Sequence, residues 1–136
     1  MKLILFGTKF WRVELNRDQA YLGRCVVVLK RECSSLSLVK EVEMVDFLKV
    51  IKKIEKKIKK VFGAEIFNWS CLMNNSCKDN DEVAQVHWHV RPRYREAVVV
   101  GGKRFVDKEF GHHYDNRRRE IVSDKVLWEI VGRLGW

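Results

Sequence analysis

A single proline and eight glycines in 136 residues leave no material for a low-complexity linker. There is no internal repeat and no break in composition, and the length suits one domain. No apolar run reaches the length needed to span a bilayer, so no membrane partner is expected. The four cysteines include no Cys-x-x-Cys pair, the spacing on which most structural zinc sites are built. Residues 1–7 carry one basic side chain and a four-residue apolar run, too short for a signal-peptide core, so a cytoplasmic protein is expected.

What is present is an ordinary folded composition, 46% hydrophobic and 33% charged, enough for a self-sufficient core. The formal charge of +9 favours polyanionic partners, nucleotides and nucleic acid among them. Seven lysines between Lys49 and Lys60 supply much of it, and such a run reads first as a solvated helix face. Cys25 and Cys71 sit in apolar segments and pack as small hydrophobes, while Cys33 and Cys77 fall in loops. A cytoplasmic chain keeps all four reduced. A zinc site from Cys33, Cys77 and a histidine would have to do without paired spacing.

The patterning predicts an α+β fold. Residues 10–15 and 24–29 read as strands separated by an Asn16-Arg17-Asp18-Gln19 turn. Ser34, Ser35 and Ser37 offer helix-start chemistry ahead of a long helix over 40–62. Its expected buried stripe is Met44, Phe47, Leu48, Ile51, Ile54, Ile58, Val61 and Phe62, and Gly63 ends it as a left-handed cap. A strand over 66–73, a polar loop over 74–82 and a further strand over 85–91 follow, the last ended or placed at an edge by Pro92. Gly101 and Gly102 suggest a short hairpin. Ser123 caps a final helix with Leu127, Ile130, Val131 and Leu134 on one side.

The informative segment is Gln85-Val86-His87-Trp88-His89-Val90-Arg91-Pro92-Arg93. Alternation puts Val86, Trp88 and Val90 on one face and Gln85, His87, His89 and Arg91 on the other. Two of the chain's four histidines therefore stand in a row with an amide and a guanidinium. Three readings compete: a structural histidine pair, a metal site using His-x-His, and phosphate chemistry. Imidazole can attack phosphorus and leave again while arginine holds the phosphate oxygens bidentately. Arg91 between any metal-binding partners would repel a cation, so the row favours an anion.

These residues, His87-Trp88-His89-Val90-Arg91-Pro92-Arg93, resemble the histidine triad (HIT) family motif, in which three histidines alternate with apolar residues. The likeness extends over about residues 10–114, through Tyr21 to Arg31 and Leu72-Met73-Asn74-Asn75, and is nearest to the diadenosine tetraphosphate hydrolase-like branch. It implies an antiparallel sheet of about five strands with one long helix, a C-terminal helix and a homodimer that continues the sheet. It implies a nucleotide hydrolase or transferase acting on a nucleoside or dinucleoside polyphosphate, and no metal or other cofactor is expected, since Arg91 and Arg93 can supply positive charge where a metal would. In that pattern His89 is the nucleophile that forms a nucleotidyl-histidine at the α-phosphate, and His87 supports it. Asn16, Asn74, Gln85 and Arg93 fall at nucleotide-binding positions, and Phe10, Trp11 and Leu22 at the base pocket.

The third triad position is Arg91, which cannot shuttle a proton near neutral pH but can hold a leaving phosphate. Hydrolase and transferase both stay open, as does a nucleotide- or RNA-binding module that has lost its chemistry. Phe110-Gly111-His112-His113-Tyr114 either lines the site or forms an exposed loop. Asn116-Arg117-Arg118-Arg119 either grips a polyanion or is a solvated charge run.

Overall fold

The computed structural model describes residues 2–77 and 83–136. Five strands form one antiparallel sheet: β1 (Leu3–Gly7), β2 (Trp11–Leu15), β3 (Cys25–Leu29), β4 (Ile66–Ser70) and β5 (His87–Arg93). Their order is β1-β2-β3-β5-β4. The long helix α1 (Glu41–Phe62) connects β3 to β4, and β5 inserts between these two strands. A hairpin of β6 (Val98–Val100) and β7 (Lys103–Phe105) and the helix α2 (Asp124–Leu134) complete the fold. No helix is long and apolar enough to cross a membrane.

Alternation assigns the two faces of the sheet. Trp11, Val13 and Leu15 of β2, Cys25, Val27 and Leu29 of β3, and Trp88 and Val90 of β5 share one face. Trp88 and Trp69 both meet Phe47 of α1, at centroid distances of 5.1 and 5.7 Å, which locks sheet and helix together. The other face presents Val26, Val28, His87, His89, Arg91, Asn68 and Ser70.

The expected stripe of α1 holds at Phe47, Ile54, Ile58 and Phe62, with Ile51 and Val61 packed partly buried against the core, and fails at Met44 and Leu48. The buried residues of the helix are Glu43, Phe47, Val50, Ile54, Ile58 and Phe62, while Met44 and Leu48 are exposed. Glu43 can be buried because Arg31 Nε and Nη2 and the Lys40 amide all donate to its carboxylate. Those bonds hold its carboxyl down at about 2, with Arg31 the largest cause. The serines do not cap α1. Ser35 caps the short 3₁₀ turn Leu36–Leu38, and Lys40 precedes α1. Gly63 does end the helix, at φ 82°.

Of the two outcomes expected at Pro92, an end or an edge, the structure takes the second: β5 continues to Arg93 as an edge on one side. Beyond Val90, β5 has lost β3 as a neighbour and pairs only with β4, so proline sits where one side of the strand is already free. The strand expected over 66–73 stops at Ser70, and Met73–Cys77 forms a 3₁₀ turn. The rest of the loop expected over 74–82 lies outside the described residues. The strand β1 was not anticipated from the N-terminal apolar run.

Candidate functional site

The row His87, His89 and Arg91 stands on the sheet face away from α1, as alternation requires. The imidazoles of His87 and His89 meet edge to face, with centroids 5.0 Å apart. His87 Nδ1 lies 2.7 Å from the Gln85 carbonyl. A carbonyl only accepts, so Nδ1 carries a proton. His89 Nδ1 is buried without a hydrogen-bond partner, and its pKa is pushed down to about 4. Burial is the chief cause, followed by the charges of His87, Arg24 and Arg91. At neutral pH His89 is therefore an uncharged imidazole, the form that has a lone pair to give.

His89 opens into a cleft of about 290 Å³. Arg91 lines it from β5, Arg24 from the residue before β3, and Leu72 and Asn74 from the turn after β4. Asn116 and Arg119 close it from the segment before α2. Arg91 is only 5% exposed, and its guanidinium lies 4.1 Å above the ring centroid of Tyr114. Its Nη1 has no partner among the described residues. A larger groove of about 550 Å³ adjoins along β4, lined by Asn68, Trp69, Ser70, Arg93 and Tyr114 among others. Ser70 is the cross-strand neighbour of His89, so cleft and groove meet at this pair.

The structure sorts the other expected site residues. Asn74 reaches the cleft. Gln85 does not offer its amide to a ligand: Nε2 donates to the carbonyls of Leu29 and Arg31 at 2.7 and 2.8 Å, and Oε1 accepts from the Cys33 amide at 2.9 Å. Both of its amide hydrogens and its carbonyl oxygen tie the chain entering β5 to the chain leaving β3.

Arg93 is likewise occupied. It is 1% exposed, forms a two-pronged ion pair with Asp107 at 2.7 and 3.1 Å, and donates to Asn68 Oδ1 and the His112 carbonyl. Asn16 uses Oδ1 to accept from the Asp18 amide at 2.9 Å, closing its own turn. Leu22 and Trp11 are core, with Trp11 Nε1 donating to the Glu43 carbonyl. Phe10 lines a different groove, beside Lys9, Lys30 and Lys40.

Among the described residues no group of three or more His, Cys, Asp or Glu side chains is arranged to hold a metal ion. Cys33 is buried and its thiol donates to the Ser35 carbonyl, while Cys77 is exposed.

Arg24 and Arg119 are the site residues that sequence patterning missed or left ambiguous. Arg24 opens a valine-rich strand, and nothing local separates it from a solvated strand end. The run 116–119 divides by position: Arg117 pairs with Asp115 in solvent, Arg118 pairs with Glu109, and Arg119 turns to the cleft. Of the aromatic and histidine cluster, Tyr114 supports Arg91, and His112 and His113, though exposed, line the adjoining groove.

A model of the HIT domain family matches residues 4–96. Among solved structures, a histidine triad protein from Sinorhizobium meliloti is similar with a TM-score of 0.72 at 15% identity, covering 98% of this chain and 87% of that one. A hypothetical histidine triad nucleotide-binding protein from Sulfolobus tokodaii gives a TM-score of 0.68 at 14% identity, covering 98% and 81%. A zinc-bound histidine triad family protein from Mycobacterium smegmatis gives 0.61 at 15% identity, covering 98% and 84%. No curated protein matches the sequence.

Proposed function

Because this chain belongs to the HIT domain family, we propose that its nucleotide chemistry runs through His89. The protein cleaves a nucleoside polyphosphate or dinucleoside polyphosphate at the α-phosphate. The observation that carries this reading is a neutral, half-buried imidazole, its pKa near 4, facing a cleft lined by guanidinium groups. Nδ1 of His89 is buried, so Nε2 is the nitrogen open to the cleft. Its lone pair attacks the α-phosphorus, a P–N bond forms, and the bond to the leaving group breaks. Water or another acceptor then attacks the nucleotidyl-histidine and releases His89.

His87, its Nδ1 proton held by the Gln85 carbonyl, orients its neighbour. Arg91 holds phosphate oxygens as charge builds, and it does so as a fixed cation. The leaving group must therefore depart as an anion or find its proton elsewhere. This favours a polyphosphate over an amine and fits the diadenosine tetraphosphate hydrolase-like branch. A cytoplasmic homodimer is part of the same proposal, since β1 and β4 are both edge strands through which a second copy could continue the sheet.

The test is incubation with diadenosine polyphosphates and with adenosine phosphoramidate, read by chromatography. Turnover of the polyphosphates, with a nucleotidyl adduct on His89 trapped by acid-free quench and mass spectrometry, is the expected result. Binding without turnover of either substrate would instead establish a nucleotide-binding module whose chemistry is lost at Arg91.

A further inference from the structure

Three arginines converge on the cleft from separate parts of the chain, and their charge is not balanced within it. Asp18 is the one carboxylate they share among the described residues. Its Oδ2 accepts from Arg24 Nη1 at 2.8 Å and lies 3.8 Å from Arg119 Nε. Its Oδ1 is taken by the amides of Ala20 and Glu120 at 3.1 and 2.9 Å. Arg91 makes no ion pair among the described residues, and its own support is the uncharged ring of Tyr114. Among the described residues, three guanidinium groups against one carboxylate leave about two positive charges unmatched in the cleft.

The unmet hydrogen-bond donors point the same way. Among the described residues, Arg24 Nε and Arg91 Nη1 are both buried without a partner, on side chains of residues only 9% and 5% exposed. Burying a guanidinium N–H without an acceptor is costly, and burying two like charges side by side adds to the cost. Burial is the chief cause that lowers the affinity of Arg24 and Arg91 for their protons, and a neighbouring guanidinium adds to it, Arg119 at Arg24 and Arg24 at Arg91. A tetrahedral dianion removes both penalties at once, because its oxygens accept from several guanidinium forks.

Arg119 and Asn116 add a second point. They line the cleft yet lie beyond residue 96, where the family match ends.

We propose that Arg24, Arg91 and Arg119 form a phosphate subsite beside His89, which takes the phosphate adjoining the one under attack and selects substrates by its presence. The selection rests on the reading of His89 as nucleophile; the binding of phosphate does not. Asn116 and Asn74 flank the same cleft and can donate amide hydrogens to the same oxygens. A substrate with a single phosphate leaves the cluster unmatched and gains nothing from it.

Titration calorimetry with inorganic triphosphate, a probe that needs no assumption about the base, tests the subsite directly. The variants are Arg119→Gln, whose side chain is 61% exposed and dispensable for packing, and Arg91→Lys, which keeps the charge but loses the planar fork. Lys56→Gln on α1 removes one charge from the opposite layer as the control. Wild type should bind triphosphate, and each cleft variant should bind about tenfold more weakly, the loss of one charge-assisted contact. Lys56→Gln should change affinity by less than about twofold, as screening of a distant charge requires.

A second arm measures kcat/KM for a nucleoside triphosphate and for a nucleoside phosphoramidate. Arg119→Gln should lower the ratio of the first to the second about tenfold. Absence of triphosphate binding to wild type, or equal binding by wild type, Arg119→Gln and Arg91→Lys, overturns the subsite even if His89 proves to be the nucleophile. Arginine-dependent triphosphate binding with no turnover of either substrate keeps the subsite and overturns the catalytic reading instead.

Discussion

Arg91 lies over the ring of Tyr114, guanidinium carbon to ring centroid 4.1 Å, with one terminal nitrogen buried and unbonded among the described residues. A strand residue is thereby held by an aromatic side chain from a loop that follows the whole sheet. The contact orients the planar fork without consuming its donors, because a ring face attracts the cation and accepts no conventional hydrogen bond. An acidic partner in the same place would have neutralised the charge on which anion binding depends.

The first prediction tests that support. Tyr114→Phe keeps the ring and should keep kcat/KM for a dinucleoside polyphosphate within about twofold of wild type, whereas Tyr114→Ala should lower it about tenfold, as the upper range of a cation–π contact allows. Steady-state kinetics decide it. Equal loss in both variants would assign the effect to the tyrosine hydroxyl and its surroundings.

The second concerns the nucleophile. His89→Ala should reduce turnover by at least roughly a thousandfold, the scale on which removal of a covalent nucleophile acts. Its thermal midpoint near neutral pH should stay close to wild type, because β5 meets the core through Trp88 and Val90. A variant that folds and turns over substrate at the wild-type rate would falsify the covalent mechanism.

A third follows from the depressed pKa of the same side chain. In the unfolded chain an imidazole takes up a proton near 6.5, but in the folded protein His89 does so only near 4. Between these values the unfolded state binds more protons, so stability is full above about 6.5 and falls as pH drops towards 4. Thermal unfolding at pH 7 and pH 5 should show a larger loss for wild type than for His89→Ala. On the kinetic side, turnover of a substrate without a terminal phosphate should stay flat on acidification through 6.5 and fail only as His89 protonates near 4. A rate that halves near 6.5 would mean that His89 titrates as an ordinary imidazole.

The fourth concerns the frame around the site. Asp107 and Arg93 are 2% and 1% exposed and joined at 2.7 Å. Asp107→Ala leaves a buried guanidinium uncompensated and should cost about 3 kcal/mol in urea unfolding, as broken buried pairs do. Arg93 also holds the His112 carbonyl, two residues before Tyr114, so loosening there should raise KM for polyphosphates as well. A loss of stability below about 1 kcal/mol would show that water or another group takes over the pairing.

Sequence alone determined what depends on short-range periodicity. Period two over 85–91 puts His87, His89 and Arg91 on one face whatever the strand pairs with, and the structure keeps them there. Ser123 and Gly63 mark helix ends through bonds made within a turn of themselves, and the glycine pair at 101–102 turns its hairpin with φ of 59° and 80°. The α+β class follows from the same local signals, since one long amphipathic helix and several short strands must share a core.

Only the tertiary structure decided which charges are free. Arg93 and Arg91 are two residues apart on one strand face and are indistinguishable by pattern. Asp107 neutralises the first, and an uncharged tyrosine supports the second. The setting of α1, which exposes Met44 and Leu48 and buries Glu43, depends on Arg31 reaching across from the end of β3. The convergence of Arg24 and Arg119 on Arg91 depends on Asp18 binding the turn after β2 to the segment before α2. Each of these is an electrostatic balance among residues distant in the chain, and periodicity carries no record of which side chains the fold will bring within ion-pair reach.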